Sequence, residues 1–154
     1  MSNNKINVSI EDINSLIEEG VAFWLKDQEH IRTPFPAYIH DDLKKNIEEV
    51  FLSWYENLEE NYKNELTEEF LAERFEGYLF EVAMGLVKGA DEKITILYPF
   101  LPRIGDLIRE KEEDAESNIT DRKIVRKKDE GFLEVTCLNT VTKKEWKTQF
   151  QLPV

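Results

Sequence analysis

The sequence is poor in the residues and motifs that mark common catalytic sites. It has a single cysteine, Cys137, which excludes an internal disulfide and a cysteine-rich metal site. Its six glycines form neither G-x-G-x-x-G nor G-x-x-x-x-G-K, and no G-x-S-x-G nucleophile elbow occurs. These absences exclude the nucleotide-binding and hydrolase classes that such motifs identify.

Long apolar runs are also missing from the sequence. No segment approaches the roughly 18 consecutive apolar residues of a membrane-spanning helix. The chain is polar through Asn7 and lacks the apolar run of a signal peptide there. We therefore expect a cytoplasmic protein that does not bind a membrane.

Basic side chains are scarce, since 20 Lys and Arg stand against 32 Asp and Glu and give a net charge of −12. Residues 1–89 contain 19 acidic and 8 basic side chains, whereas residues 90–154 contain 13 and 12. Nearly all the net negative charge therefore belongs to the first part of the chain. Phosphate binding needs a basic surface, so the charge argues against nucleic acid as a partner.

The sequence does contain the material for a hydrophobic core. Hydrophobic residues make up 41% of the chain, with nine Phe, five Tyr and three Trp. A chain of this size and composition is expected to form one domain, residues 1–154. The pattern divides this domain into a helical, acidic part at 1–89 and a β-rich part at 90–154.

Three amphipathic helices are predicted in the acidic part, at residues 10–28, 41–58 and 66–89. Ser9 and Asp12 resemble a capping box that opens the first helix. The prolines of the Pro34–His40 segment forbid helix and predict a loop. Asp41 or Asp42 then caps the second helix, which is expected to pack antiparallel to the third.

The third helix is expected to be the central one. Thr67 is its predicted N-cap, and Gly89 is predicted to end it as a C′ glycine. Gly77 and Gly85 disfavour a helix, which indicates close approach of a neighbouring element. One stripe of this helix is predicted to face the core, and it consists of Leu71, Phe75, Tyr78, Leu79, Val82 and Leu86.

After Gly89 the pattern becomes typical of β-structure. Strands are predicted at 94–98, near 103–109, at 123–128, at 132–138 and from Trp146 to Leu152. The predicted fold is therefore α+β, with three N-terminal helices packed against a small C-terminal antiparallel meander of three to five strands.

Few residues suggest chemistry. His40, Asp41 and Asp42 are metal-ligand types, but their spacing matches no compact zinc or iron site, so we predict no metal and no cofactor. Cys137 lies on a predicted central strand, where cysteine is usually a buried apolar residue. An enzyme is not favoured. A basic cluster is interpreted as a solvated strand edge, and it comprises Arg122, Lys123, Arg126, Lys127 and Lys128.

The acidic helical face is the feature that indicates a function. Glu69, Glu73 and Glu76 follow one another at helical spacing, and Glu48 and Glu49 lie on the second helix. These carboxylates are either a solvated surface or the site of a cationic partner, whose association a field of one sign would accelerate.

The favoured function is that of a small acidic module that docks a basic protein. In composition, though in no motif, the chain is similar to immunity proteins that cover the basic substrate groove of nuclease toxins. In this interpretation the acidic face neutralises the partner, and exposed aromatic residues such as Tyr55, Tyr62 and Phe35 provide anchoring contacts.

The alternative is a small-molecule-binding or enzymatic α+β domain. Its pocket would lie between the central helix and the meander, and it would open through the Pro34–His40 loop. Four residues would line it, namely Phe80, Met84, Cys137 and Trp146.

Overall fold

The computed structural model describes residues 9–153, so the polar N-terminal stretch considered above lies outside the described residues. The chain divides into two compact units, Met1–Pro99 and Phe100–Val154, which are described separately. Helices form the first unit and a four-stranded antiparallel sheet lies in the second. The predicted α+β class is confirmed, while a single domain over 1–154 stays a prediction.

The helices of the first unit are α1 (Ile10–Trp24), α2 (His40–Glu56), α3 (Glu60–Lys63), α4 (Glu68–Leu86) and α5 (Ala90–Leu97), and a 3-10 turn, Ala37–Ile39, precedes α2. The three predicted helices correspond to α1, α2 and α4. The sequence pattern predicts neither α3 nor α5. None of the helices within residues 9–153 is both long enough and apolar enough to cross a membrane.

Two helix starts agree with their sequence signals. The Ser9 backbone N–H donates to the Asp12 carboxylate at 3.0 Å, and the Asp12 backbone N–H donates to the Ser9 hydroxyl at 3.2 Å, so the capping box is complete. At the start of α4, the Thr67 hydroxyl oxygen accepts from the Phe70 backbone N–H at 3.1 Å. Local side-chain bonds therefore determine where α1 and α4 begin.

The predicted cap of α2 is wrong. The helix begins at His40, and its N-cap, Ile39, makes no side-chain hydrogen bond. Asp41 and Asp42 instead lie in the first turn. The 3-10 turn leads directly into the helix and leaves no extended residue in front of either aspartate, although both carboxylates still interact favourably with the helix dipole.

The helices α2 and α4 run in opposite directions, as predicted. Trp54, near the end of α2, has its ring 6.2 Å from that of Phe70 in the first turn of α4. At the other end, the hydroxyl of Tyr38, just before α2, accepts from the backbone N–H of Lys88, just after α4, at 3.1 Å.

The helices α1 and α4 run in the same direction. A Cβ added at Gly20 of α1 would collide with the ring of Phe75 of α4, and four residues further along, Trp24 packs edge-on against Phe80 at 5.1 Å. Phe75 also packs against Phe51 of α2 at 5.5 Å. One aromatic ring therefore contacts both neighbouring helices, and it reaches α1 only because Gly20 has no side chain.

The core of the helical unit takes its side chains from all three long helices. Its buried members on these helices are Ile13, Ile17, Val21, Leu43, Ile47, Phe51, Tyr55, Leu71, Phe75, Leu79 and Ala83. Half of the predicted α4 stripe is buried, while Tyr78, Val82 and Leu86 are partly buried against the same core.

The predicted roles of three glycines in and after α4 are wrong. Among residues 9–153, nothing lies within 4 Å of a Cβ built at Gly77 or Gly85, so no neighbouring element of this part of the chain approaches there. The helix ends at Leu86, and Gly89 has an extended conformation with φ −89°, so it is not a left-handed C′ residue.

The strand predicted at 94–98 is also wrong, because Ala90–Leu97 forms α5. Gly89 is its N-cap, and the Glu92 carboxylate accepts from the Gly89 backbone N–H at 2.9 Å. Ile94 and Ile96 are 8% and 4% exposed. Burial and this return bond at the helix start therefore override the β-propensity of the isoleucines.

The strands of the second unit are β1 (Leu107–Ile108), β2 (Ser117–Lys127), β3 (Glu130–Asn139) and β4 (Glu145–Gln151), paired in the order β1-β2-β3-β4. The strand predicted at 132–138 lies within β3, where Leu133, Val135 and Cys137 are buried and alternate with more exposed residues. On the other face Glu134 accepts a hydrogen bond from Gln149 at 3.1 Å and lies 3.6 Å from the Lys123 ammonium.

We expect Gly20→Ala to lower the free energy of unfolding by about 1–3 kcal/mol, because the added methyl group must displace the buried Phe75 ring. The matched control is Gly77→Ala, which enters open space in α4 and should raise stability by up to about 1 kcal/mol through helix propensity. Urea denaturation of both variants measures the difference. Equal stabilisation by the two substitutions would show that α1 and α4 do not approach closely at Gly20.

Candidate functional site

The predicted acidic residues lie on the surface of the helical unit. Glu69, Glu73 and Glu76 are exposed on α4, and Glu48 and Glu49 are exposed on α2. Among residues 9–153, no Lys, Arg or His nitrogen lies within 4.0 Å of a carboxylate oxygen of these five glutamates, which is the limit for an ion pair. None of the five carboxylates therefore forms an ion pair with the described part of the chain.

The one cationic side chain of α4 is directed toward aromatic rings. Arg74 places its guanidinium carbon 5.2 Å from the centre of the Phe70 ring and 5.9 Å from that of Trp54 on α2. This cation–π arrangement holds the charge on the α2 side of α4. Arg74 consequently forms no ion pair with its neighbours Glu73 and Glu76.

The predicted aromatic anchors differ in exposure. Tyr62 is 57% exposed and available to a partner. Tyr55 is 7% and Phe35 2% exposed, so the expectation that these two are exposed is wrong. The Lys63 ammonium lies 4.9 Å from the centre of the Tyr55 ring, and Tyr55 belongs to the core. Tyr55 faces inward because it continues the buried stripe of α2 one turn beyond Phe51.

The sequence reasoning missed Phe70, which is 40% exposed beside Glu69. A shallow groove of about 300 Å³ crosses this side of α4, and its lining residues are Phe70, Glu73, Arg74, Gly77, Tyr78 and Glu81. Its exposure could be predicted from the sequence, because Phe70 lies outside the stripe of α4 that is predicted to face the core.

The four residues of the predicted alternative pocket belong to different units. Phe80 and Met84 line an apolar groove of about 510 Å³ in the helical unit, together with Ile96 and Leu97 of α5. Cys137 and Trp146 are partners in register across β3 and β4 of the sheet. The pocket between helix and meander therefore stays a prediction.

Cys137 lies in an environment unsuited to a nucleophile. Its side chain is 0% exposed, and burial, with a smaller contribution from the negative charge of Glu110, raises the pKa of the thiol. A raised pKa keeps the sulfur protonated and unreactive at neutral pH. Beside it, the Trp146 indole N–H donates to the hydroxyl of Ser117 at 2.9 Å.

The Pro34–His40 loop is held by hydrogen bonds to its surroundings. The His40 ring donates through Nε2 to the Phe35 carbonyl oxygen at 2.9 Å. The Tyr38 hydroxyl donates to the Glu92 carboxylate at 2.7 Å. That bond, and then the bond from the Gly89 backbone N–H, lower the pKa of Glu92. Across residues 9–153, no three His, Cys, Asp or Glu side chains are grouped as metal ligands.

The basic cluster of β2 does not form one patch. Arg122 is 5% exposed and donates to the Pro102 carbonyl oxygen at 2.8 Å. On the opposite face, Lys123 lies next to Glu134, and Lys127 donates to Gln149 at 3.0 Å. Alternation along the strand divides the cluster between the two faces of the sheet.

Comparisons with known proteins do not assign a family to this chain. No protein-family model matches it, and neither curated proteins nor solved structures give a match. The site must therefore be interpreted from its own geometry.

We expect Cys137 to react with a thiol reagent only after the sheet unfolds. The native protein should be labelled far more slowly than a free thiol at the same pH, because the sulfur is buried and its pKa is raised. Labelling rates measured across a urea series should follow the unfolded fraction. Labelling of the native protein at the rate of a free thiol would contradict the buried position.

We expect Tyr38→Phe to destabilise the protein more at neutral pH than in acid, where the loss of the bond from the Lys88 backbone N–H remains but the contribution of the charged Glu92 is gone. The Glu92 carboxylate has a pKa below its usual 4.5, so its bond with Tyr38 contributes stability above that pH. The contribution is lost as the pH falls through the lowered pKa. Denaturant unfolding at about pH 7 and about pH 3 measures this difference. Tyr62→Phe is the control and should change stability at neither pH, and an equal Tyr38 effect at both would contradict the bond.

Proposed function

We propose that the chain is a small acidic protein-binding module that docks a basic protein, in the manner of a cytoplasmic toxin-neutralising immunity or antitoxin-like protein. The observation that carries the proposal is the distribution of uncompensated charge. Residues 1–99 contain 21 acidic and 9 basic side chains, whereas residues 100–154 contain 11 of each. The entire net charge of −12 therefore belongs to the helical unit.

An excess of carboxylates on one unit favours the binding of a cationic protein. Their mutual repulsion disfavours the compact state of the free protein. A basic protein relieves this repulsion when it binds, and the same field increases the rate of encounter tenfold or more at low salt. The exposed carboxylates of α2 and α4 therefore gain favourable interactions when a cationic partner binds.

A toxin that binds nucleic acid fits this surface because its substrate groove is cationic. Carboxylates in that groove would occupy positions meant for phosphates and block the substrate. Two exposed aromatic side chains of the same unit, Tyr62 and Phe70, offer apolar contact of the kind that dominates binding energy at interfaces.

The proposal is tested with the basic protein encoded beside the gene for this chain, and its affinity is measured by calorimetry over a range of salt concentrations. The variant Glu69→Lys/Glu73→Lys/Glu76→Lys should weaken binding at least about tenfold, because each new ammonium faces a cationic partner. Affinity for the unmodified chain should fall as salt rises.

The control variant is Glu112→Lys/Glu113→Lys/Glu145→Lys. It changes the net charge by the same amount as the α4 variant, at three exposed positions of the sheet unit. The affinity of this control should stay within about twofold of that of the unmodified chain, because exposed charges outside the interface contribute little to binding. Affinity that depends neither on salt nor on the three α4 glutamates would refute the proposed function, as would a neighbouring gene product that lacks basic character.

A further inference from the structure

A groove with an apolar floor and acidic rims runs between α1 and α4. It has a volume of about 570 Å³, and its lining residues are Asp12, Ser15, Leu16, Glu19, Glu68, Leu71 and Ala72. Leu16 and Ala72 are half-buried and form the open part of the floor, whereas Asp12, Glu19 and Glu68 are exposed. The groove therefore offers apolar contact at its centre and negative charge on both sides.

Neither wall of this groove supplies a positive charge. The helix α1 contains no Lys or Arg, and Arg74 of α4 lies over the rings of Phe70 and Trp54 on the side of α2. The groove between α1 and α2 differs, because Lys44 lies among its lining residues with Glu18 and Glu48. Of these two grooves beside α1, the one shared with α4 is therefore the one whose described lining residues carry charge of a single sign.

The spacing of the carboxylates suits a helical occupant. Asp12 and Glu19 are seven residues apart on one side of α1, which separates them by about 10 Å along the helix axis. Leu16 lies between them. A helix laid in the groove with two cations seven residues apart matches both carboxylates, and an apolar residue between its cations then falls over Leu16.

We propose that the α1/α4 groove binds a cationic amphipathic helix of the partner protein. Lys or Arg side chains of that helix pair with Asp12 and Glu19 on one rim and with Glu68 on the other. Its apolar side chains rest on Leu16 and Ala72. This inference rests on the proposed function and extends it, since it adds a contact surface beside Glu69, Glu73 and Glu76 and states which secondary structure the partner presents.

The probe for this site is a labelled synthetic helical peptide that has two lysines seven residues apart and leucines between them. Its binding to the full chain is measured by fluorescence anisotropy at low salt. The variant Glu19→Lys/Glu68→Lys should weaken binding at least about tenfold, since both rims then repel the lysines. A peptide with serine in place of the leucines should bind at least about fivefold more weakly, because it loses the contact with the floor.

The matched control, Glu18→Lys/Glu56→Lys, changes two exposed residues of α1 and α2 that lie outside this groove, and it alters the net charge equally. It should reduce binding by less than about twofold. If the charge-reversed variant does not fold, Glu19→Gln/Glu68→Gln replaces it, with an expected loss of about threefold to tenfold.

Two results would overturn the groove assignment. The first is an equal loss with both variants, and the second is no binding of the peptide to the unmodified chain. The proposed function is judged separately, by binding of the whole basic protein and by its dependence on Glu69, Glu73 and Glu76. Salt-dependent binding of the whole protein together with either result here would place the interface elsewhere on the helical unit.

Discussion

The packing of the Phe75 ring against Gly20 is the constraint on which the helical unit depends. The ring belongs to α4, approaches α1 where that helix has no side chain, and contacts Phe51 of α2 on its other side. A single buried group therefore determines the separation of α1 from α4 and joins both to α2. The acidic rims of the α1/α4 groove, Asp12 and Glu19 opposite Glu68, lie near each other because the two helices pack side by side at this point.

Aromatic residues also determine how the charges are distributed. Arg74 is held over Phe70 and Trp54, and Lys63 lies over the ring of Tyr55 while pairing with Glu60. Rings compete with carboxylates for the few cations of this unit, and cation–π contact at a partly desolvated ring is worth as much as an exposed ion pair. The acidic face therefore reflects where the basic residues are placed as well as how few they are.

Signals that act over three or four residues could be predicted from the sequence, and contacts between distant elements could not. The capping box of Ser9 and Asp12 and the Thr67 cap are local hydrogen bonds, so composition at fixed spacing identified them. The helix at 90–97 was mistaken for a strand because Ile94 and Ile96 have β-propensity, whereas burial decides their conformation. Glu69, Glu73 and Glu76 were visible as one face, but the groove required knowing that α1 lies beside α4.

The excess of carboxylates over cations in the helical unit has a consequence for how dissolved salt acts on this protein. Within the free chain, mobile cations gather near the carboxylates and reduce their repulsion, so added salt stabilises the folded helical unit. Between the chain and a cationic partner, the same ions shield attraction and weaken the complex. Ionic strength would therefore shift folding and the proposed association in opposite directions, and a cationic partner would act as a bound counter-ion.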